Sequence, residues 1–220
     1  MESHEPFANP NIAKTIRDRY HDRNHNNDYA KNNLGFGLFH YAFIRNIRPA
    51  NVLVVGSQRG YVPSICGVAC RDEGAGTVDF VDAGYSIDEA NAWGGVGIWK
   101  TAKKDYWEPV GCQNIIRIHN MRLENFSSPS KYQYIYIDGD HSYEGVKHDF
   151  HFCEKLLAHD GYMALHDITV EKETKYGKCG VKRFWEEITA DHEARKSFEF
   201  LSIPFAAGLG FARRTGQPTP

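Results

Sequence analysis

Carboxylates and an imidazole follow an uncharged run in the second half of the sequence. The run Tyr134–Ile137 ends at Asp138, and Asp140 and His141 come directly afterwards. A short apolar or aromatic run bounded by polar residues is typical of a buried strand. Ligands bind at the carboxyl ends of strands in open α/β sheets, so this stretch predicts a site at a sheet edge.

A second pair of such groups, His166 and Asp167, closes the apolar run that starts at Tyr162. In a doubly wound sheet these two strand ends are neighbours, so both sets of groups can converge. Carboxylates and imidazoles together could hold a divalent cation that polarises a substrate hydroxyl. Alternatively, His141 or His166 acts as a general base, because imidazole titrates near neutral pH. The purely structural alternative is that the acids cap helix N-termini and that the histidines are hydrogen-bonded residues lining the sheet edge.

A glycine turn follows the first predicted strand, Asn51–Gly56. Gly56 and Gly60 are four residues apart in GSQRGY, and an apolar helix face follows them. Glycines before a helix N-terminus let the backbone approach a ligand closely. Neither the GxGxxG fingerprint nor a P-loop lysine is present. Asp82 ends the next predicted strand and can accept both hydroxyls of a ribose, so the pair of features predicts a nucleoside-type cofactor.

Weaker candidates lie at other predicted strand ends and in the loops. His119 and Asn120 end the third strand and could line a base-binding pocket. Four further residues could contact cofactor or substrate, although aromatic residues at this density more often form core: Tyr85, Ser86, Trp93 and Trp99. Three histidines on or after the helix that follows Asp138 are expected at the surface: His148, His151 and His159.

The elements that must position these residues alternate between strand and helix. This order predicts an α/β fold with a Rossmann-like, doubly wound and mostly parallel sheet, closed by a C-terminal antiparallel hairpin. The predicted strands are Asn51–Gly56, Thr77–Asp82, Gln113–His119, Tyr132–Ile137, Tyr162–His166, FEFLSI from Phe198 and GLGFARR to Arg214. Helices are predicted over Ile12–Arg23, Leu34–Ile47, the residues after Gly60, the residues after Ser142 as N-cap, and Val181–Ile188. The predicted organisation is an N-terminal arm over 1–33, serving as a lid or a dimerisation segment, a domain over 34–214 and a disordered tail over 215–220.

Composition narrows the class of protein. The formal charge of -2 over 220 residues offers no basic footprint for nucleic acid. No apolar run approaches the ~20 residues of a membrane span, and the start has no signal-peptide pattern. Five scattered cysteines without CxxC spacing indicate reduced thiols. We therefore expect a cytoplasmic enzyme with a small-molecule substrate, no nucleic-acid or membrane partner, and an open oligomeric state that includes a homo-oligomer.

The sequence resembles the class I S-adenosylmethionine-dependent methyltransferases. It is similar to the branch with macrocin-, rhamnosyl- and cephalosporin-type O-methyltransferases, over about Asn51–Arg213. The matching stretches are NVLVVGSQRGYVPSI, TVDFVDAGYS, YIYIDGDHSYEGVKHDF, GYMALHD and GVKRFWEEI. IDGDHSYEGV followed by LHD is the most specific of them. The resemblance implies a seven-stranded sheet and O-methylation of a small hydroxylated metabolite, such as a sugar or natural product.

The resemblance also implies roles for individual residues. It implies cofactor contacts by Gly56, Ser57, Gly60, Asp82, Asp138 and His141, and Tyr61 and Asn120 complete the predicted cofactor-binding set. From the residues themselves we predict His141, His166 and Asp138 as the catalytic group, with either imidazole as the base. A divalent cation, magnesium or another, would be bound by Asp138, His166 and Asp167. His166 departs from the family pattern, in which an acid is usual, and Val55 replaces the acid that often precedes the glycine turn.

Two other classes of function fit parts of the sequence. A nicotinamide-dependent oxidoreductase would use a related sheet, but the third glycine is missing and the terminal hairpin is not typical of that class. A degenerate methyltransferase fold could serve as a binding subunit without activity. The acids Asp82, Asp138 and Asp167 and the imidazole His141 argue against the inactive form.

Overall fold

The computed structural model describes residues 10–22, 24–84, 98–171, 173–174 and 177–215. The candidates Tyr85, Ser86 and Trp93 and the tail from residue 216 lie outside these ranges. The strands are β1 (Asn51–Val55), β2 (Thr77–Asp82), β3 (Ile116–Asn120), β4 (Tyr132–Ile137), β5 (Leu157–His166), β6 (Glu173–Thr174), β7 (Gly177–Lys178), β8 (Phe198–Ile203) and β9 (Leu209–Arg214). The helices are α1 (Pro10–Arg19), α2 (Phe36–Ile47), α3 (Tyr61–Glu73), α4 (Tyr143–Leu156), α5 (Val181–Ala190) and α6 (Ala194–Ser197).

Seven strands form one mixed sheet in the order β3-β2-β1-β4-β5-β9-β8. The first five in that order run parallel, and β9 pairs antiparallel with both β5 and β8. The interior strands are continuous apolar runs because helices cover both of their faces. The predicted Rossmann-like sheet with its C-terminal antiparallel hairpin is therefore confirmed.

Two apolar cores lie on opposite faces of the sheet. One contains side chains of α1, α2 and α3, including Ile16, Ile44 and Ile65. The other contains side chains of α4 and α5, including Phe150 and Phe184. Helices on both faces make the sheet doubly wound, as the alternating sequence pattern predicts.

Strand order reverses between β1 and β4. From β1 the chain passes to β2 and β3 on one side, and then returns to place β4 on the other side of β1. In open α/β sheets ligands bind in the crevice at such a reversal, which here is at the carboxyl ends of β1 and β4. Gly56 and Asp138 follow these strands directly, so both lie at this edge of the sheet.

Several element boundaries differ from the sequence prediction. Helix α1 runs over Pro10–Arg19, earlier than Ile12–Arg23, and α2 starts at Phe36 because Gly35 before it has a φ of 51°. Strand β3 starts at Ile116, after a turn in which the amides of residues 115 and 116 both donate to Cys112 O. Strand β5 starts five residues before Tyr162, and the short hairpin β6–β7 occupies the polar loop after His166.

The start of α4 and the cysteines match their predictions. Ser142 Oγ accepts a hydrogen bond from the Gly145 amide, as expected of an N-cap. The five cysteines are free and buried. Among the described residues, no helix combines the length and the low polarity that crossing a bilayer would require.

Candidate active site

The turn after β1 has the conformation that its glycines predict. Gly56 has a φ of 70°, and a Cβ there would overlap the Asp138 carbonyl oxygen. Only glycine combines this backbone conformation with so close an approach to the chain after β4. The Gly60 amide donates to Ser57 O at 2.6 Å, which closes the turn before α3. The side-chain oxygen of Ser57 is buried and has no hydrogen-bond partner among the described residues.

Asp82 stands beside this turn at the end of β2. Its Oδ1 accepts from the Gly84 amide at 2.7 Å, and its Oδ2 accepts from the Ser57 amide at 3.4 Å. Burial raises the pKa of Asp82 to about 6, against the opposing effect of those two amides. Asp82 as a residue is only partly buried, so it is accessible at the sheet edge.

Two carboxylates and two imidazoles form a closed ring at the ends of β4 and β5. His141 Nε2 lies 3.1 Å from Asp138 Oδ1, and His141 Nδ1 lies 2.9 Å from Asp167 Oδ2. His166 Nδ1 lies 3.3 Å from Asp138 Oδ1 and 3.2 Å from Asp167 Oδ1. Each imidazole therefore contacts both carboxylates. The structure thus brings together the residues that the sequence predicts for catalysis and metal binding.

The imidazoles and carboxylates of this ring shift one another's pKa values. Burial disfavours the imidazolium form of both rings, but the paired carboxylates outweigh it and raise the pKa of His166 to about 9. The pKa of His141 is raised well above its usual range for the same reason. Burial would raise the pKa of Asp138, yet His166 and His141 hold it well below its usual range.

Asp167 adopts an uncommon backbone conformation in this ring. Its φ is 62°, in the left-handed region that acidic residues tolerate better than most. Such conformations cost free energy and persist where surrounding contacts hold them in place. Here the carboxylate is held by His141 and His166.

A third imidazole enters the site from the N-terminal arm. His25 is completely buried, and its ring stacks on that of His166 with centroids 4.2 Å apart and 14° between the planes. The ring of Tyr61 lies 4.8 Å from that of His25. His25 Nε2 is 3.4 Å from Asp22 Oδ2 and 4.0 Å from Asp138 Oδ2. The sequence does not mark His25 as part of the site, because the polar arm resembles an exposed terminus.

Local hydrogen bonds fix the arm against the sheet. The Phe36 amide donates to His25 O at 2.7 Å, and Asn24 O lies 3.2 Å from His166 Nε2. The Tyr61 hydroxyl donates to Leu34 O, which ties the residue directly after the arm to the first residue of α3. The arm therefore connects the glycine turn of β1 with the imidazole that ends β5.

Replacing Gly35 by alanine is expected to release the arm. Gly35 has a φ of 51°, and a Cβ there would overlap the His25 carbonyl oxygen. Gly74→Ala is the matched control, because Gly74 has a φ of 73° and no atom lies within 4 Å of its Cβ position. We expect Gly74→Ala to cost about 1–2 kcal/mol of unfolding free energy. Gly35→Ala should cost more and expose the arm to limited proteolysis; equal protease resistance in both variants would contradict this account.

Several other residues predicted for the site have side chains that are buried or already paired. The Tyr61 side chain is buried against the arm, so its backbone is the part that faces the turn. Asn120 Nδ2 donates to Asp82 O at 3.0 Å, beside the carboxylate predicted to bind ribose. His119 Nε2 lies 2.6 Å from Asp79 Oδ1, and Trp99 is buried in the core. The three histidines expected at the surface are about half exposed or more: His148, His151 and His159.

Comparison with known families assigns the chain to one of them. Residues 53–168, more than half of the chain, match a family described as "Methyltransferase domain". The chain belongs to this methyltransferase domain family. The matched segment contains the turn after β1, the acid that ends β2 and the ring of charges after β4 and β5. A comparison with curated proteins finds no match.

Solved structures share the fold of this methyltransferase. A putative O-methyltransferase from Klebsiella pneumoniae is 14% identical, with a TM-score of 0.65 over 95% of this chain and 91% of that chain. The O-methyltransferase TomG from Streptomyces achromogenes, solved with SAM, is 14% identical, with a TM-score of 0.61 over 93% and 88%. An O-methyltransferase from Bacillus cereus, solved with SAH, is 17% identical, with a TM-score of 0.58 over 88% and 84%. At these identities the likeness establishes the fold.

Proposed function

We propose that the protein transfers the methyl group of S-adenosylmethionine to a hydroxyl oxygen of a small metabolite, such as a sugar or natural product. The observation that carries this proposal is the geometry of the crevice between β1 and β4. Asp82 and the Ser57 turn lie at the ends of β2 and β1, and the ring containing Asp138 lies at the ends of β4 and β5. A nucleoside cofactor and a hydroxylated acceptor would meet between them.

The cofactor side of the crevice fits S-adenosylmethionine. Asp82 offers carboxylate oxygens at a strand end, where a ribose diol can donate to them. The buried Ser57 Oγ, which has no partner among the described residues, can bind a polar group of the methionine part. Asn120 holds the backbone of Asp82 from β3. Contacts of the cofactor with Gly56, Gly60 and Tyr61 would use their backbones.

The acceptor side must orient a hydroxyl and take its proton. The reaction is an in-line displacement, so alignment of the oxygen with the methyl group supplies much of the rate. Asp138 is the orienting group, because both imidazoles already hold its carboxylate in place. His141 or His166 is the proposed base. The carboxylates raise the pKa of both imidazoles, so either ring must give up its proton to the surroundings before it can serve.

The proposal includes a divalent cation, and the types of donor atom at the site indicate which ion would bind. Bound beside Asp138, it would lower the pKa of the acceptor hydroxyl. His166 Nδ1 lies close to both Asp138 and Asp167, so these three donors fit the predicted set in position. The donor atoms of these three residues fit magnesium poorly, because imidazole nitrogen suits transition-metal ions and magnesium prefers oxygen ligands.

Thermal unfolding with added ligands tests the proposed cofactor. A ligand at one hundred times its Kd stabilises the folded state by about 2.7 kcal/mol, so S-adenosylmethionine should raise Tm by about 5–10 °C. NAD at the same concentration should leave Tm unchanged; the opposite pattern would favour the oxidoreductase. A shift with S-adenosylmethionine, but no S-adenosylhomocysteine formed with any acceptor in a broad panel, would favour the inactive binding subunit.

Cofactor affinity is expected to weaken below about pH 6. Burial raises the pKa of Asp82 to about 6, and the ionised carboxylate is the form that accepts two ribose hydrogen bonds. The affinity for S-adenosylhomocysteine should therefore be constant above pH 7 and fall up to tenfold per unit well below pH 6. Titration calorimetry between pH 5 and 8 measures this. An affinity that stays flat across the range would exclude Asp82 as the ribose acceptor.

The remaining assignments also belong to this proposal. The arm over residues 1–33, the methyltransferase domain over 34–214 and the tail over 215–220 are the proposed divisions of the chain. The buried, free cysteines support a reducing, cytoplasmic environment. The formal charge of -2 supports a small-molecule acceptor over a nucleic-acid partner. The oligomeric state, with the homo-oligomer included, is left to a measurement of molecular mass in solution.

A further inference from the structure

His25 is a buried imidazole with unused donor capacity beside the charged ring. It has no exposed surface, and neither of its ring nitrogens makes a hydrogen bond within the described part of the chain. Buried polar groups are nearly always paired, so an unpaired one at a functional site requires an explanation. The carboxylate oxygens of Asp22 and Asp138 lie 3.4 and 4.0 Å from Nε2.

The imidazoles of His25 and His166 lie near the same carboxylate, that of Asp138. His166 Nδ1 lies 3.3 Å from Asp138 Oδ1, and His25 Nε2 lies 4.0 Å from Asp138 Oδ2. One ligand-type atom from each of these three residues lies within 4.8 Å of the other two. Three ligands bonded at ~2.1 Å to one tetrahedral ion lie about 3.4 Å apart, so the three donor atoms must close by up to about 1.4 Å. The stacked rings must tilt their nitrogen edges towards each other to share the ion.

We propose that His25, Asp138 and His166 bind a first-row transition-metal dication of the Fe²⁺ to Zn²⁺ series. Two imidazoles and one carboxylate with open positions are a donor set for such ions and a poor one for magnesium. The ligand set replaces the predicted Asp167 with a residue of the N-terminal arm. The site does not depend on the identity of the methyl acceptor.

Asp167 belongs to a different group of donors. Its carboxylate lies with His141 and Cys179, whose ligand-type atoms are also within 4.8 Å of one another. The two groups differ in chemistry, because the second one contains a thiol. Cys179 is buried, and burial raises the pKa of its thiol, which disfavours the thiolate that a metal requires. The group with His25 contains no thiol, and its imidazoles bind an ion in their neutral form.

The proposed site gives the arm a role in addition to covering the sheet. Asn24 O lies 3.2 Å from His166 Nε2, so the arm already holds the imidazole that shares the carboxylate with His25. Second partners of this kind orient a metal-binding imidazole. Asp22 Oδ2 is similarly placed beside His25. A bound ion would therefore join the arm to the ends of β4 and β5.

Cobalt(II) is the probe for this site, because its visible spectrum reports the donor set. The full chain, stripped with chelator and titrated with Co²⁺ without cofactor, should bind one equivalent with a visible d–d band. Zn²⁺ should displace it, and Mg²⁺ in large excess should not. His25→Gln should weaken Co²⁺ binding at least tenfold, whereas the exposed His148→Gln should bind as the wild type does. Unaltered affinity in His25→Gln, absence of Co²⁺ binding, or displacement by Mg²⁺ would each overturn the proposal.

A second variant, His25→Cys, separates loss of a metal ligand from loosening of the arm, because loosening alone could also weaken Co²⁺ binding in His25→Gln. A thiolate at position 25 bonded to Co²⁺ should add a near-ultraviolet charge-transfer band that the wild type lacks. Such a band in the wild type would place the ion at Cys179 and overturn the proposal, as would its absence from a cobalt-loaded His25→Cys. A separate titration with S-adenosylhomocysteine distinguishes failure of the metal site from failure of the proposed methyl transfer.

Discussion

Asp82→Asn is expected to abolish the Tm increase that S-adenosylmethionine produces. The carboxylate at the end of β2 is the acceptor proposed for the ribose diol, and its two amide partners, Gly84 and Ser57, keep it at the sheet edge. An asparagine offers one acceptor oxygen where the carboxylate has two, so the ribose loses a charge-assisted bond. We expect affinity to fall at least a hundredfold, measured by calorimetry with S-adenosylhomocysteine.

The same substitution should stabilise the protein without ligand. Burial raises the pKa of Asp82 to about 6, so the folded state binds a proton more tightly than the unfolded state between about pH 4 and 6. Stability therefore falls as pH rises through that window, and above it the ionised carboxylate remains a cost. Partial exposure screens this cost to about 1–2 kcal/mol. Asp82→Asn should thus raise Tm by a few degrees at pH 8.

Asp79→Asn is a matched control in the same strand. Asp79 is buried too, but it accepts hydrogen bonds from Arg117, His119 and Tyr132, which outweigh burial and lower its pKa. Removing this charge should destabilise the fold by about 3 kcal/mol and leave cofactor affinity unchanged. If both variants changed stability in the same direction, the proposed difference between the two carboxylates would be wrong.

Asp138→Asn is expected to reduce turnover by at least about a hundredfold, the scale of a lost acid–base or orienting group. Asp138 is the point at which His141 and His166 meet, and the Tyr136 hydroxyl donates to it at 3.3 Å. Removing one partner of a buried charged group also leaves the others unpaired. We therefore expect a loss of about 3 kcal/mol in unfolding free energy, measured by denaturant titration.

Asp140→Asn controls for the change of charge in this loop. Asp140 is exposed, and its Oδ1 accepts from the Ser142 amide at 2.9 Å, a bond that asparagine can retain. Turnover and stability should stay within about twofold and 0.5 kcal/mol of the wild type. A turnover of Asp138→Asn within tenfold of Asp140→Asn would remove Asp138 from the catalytic group.

Local sequence patterns were sufficient for most of the sheet. The strands β1, β2 and β4 are short apolar runs with clear polar ends, and their observed bounds match the prediction within one residue. The rule that parallel strands carry ligands at their carboxyl ends then places Asp138 near His166. The start of β5 was missed because the polar residues before Tyr162 obscure its apolar pattern.

The contribution of the arm could not be read from local patterns. His25 lies in the polar stretch HDRNHNND, which resembles an exposed terminus by composition. Its burial depends on contacts with Tyr61 and His166, which are far away in the sequence. One signal was present: Gly35 follows this stretch, and a glycine turn can return a polar segment to a sheet.

The docked arm has a consequence for the order in which the site forms. Asn24 and His166 are 142 positions apart, and β5 must join the sheet before that contact can exist. Contacts of large sequence separation are made late, because the entropy of closing the loop is lost first. We therefore expect the contacts around Asp138 to be completed only after β5 has joined the sheet and the arm has packed against His166.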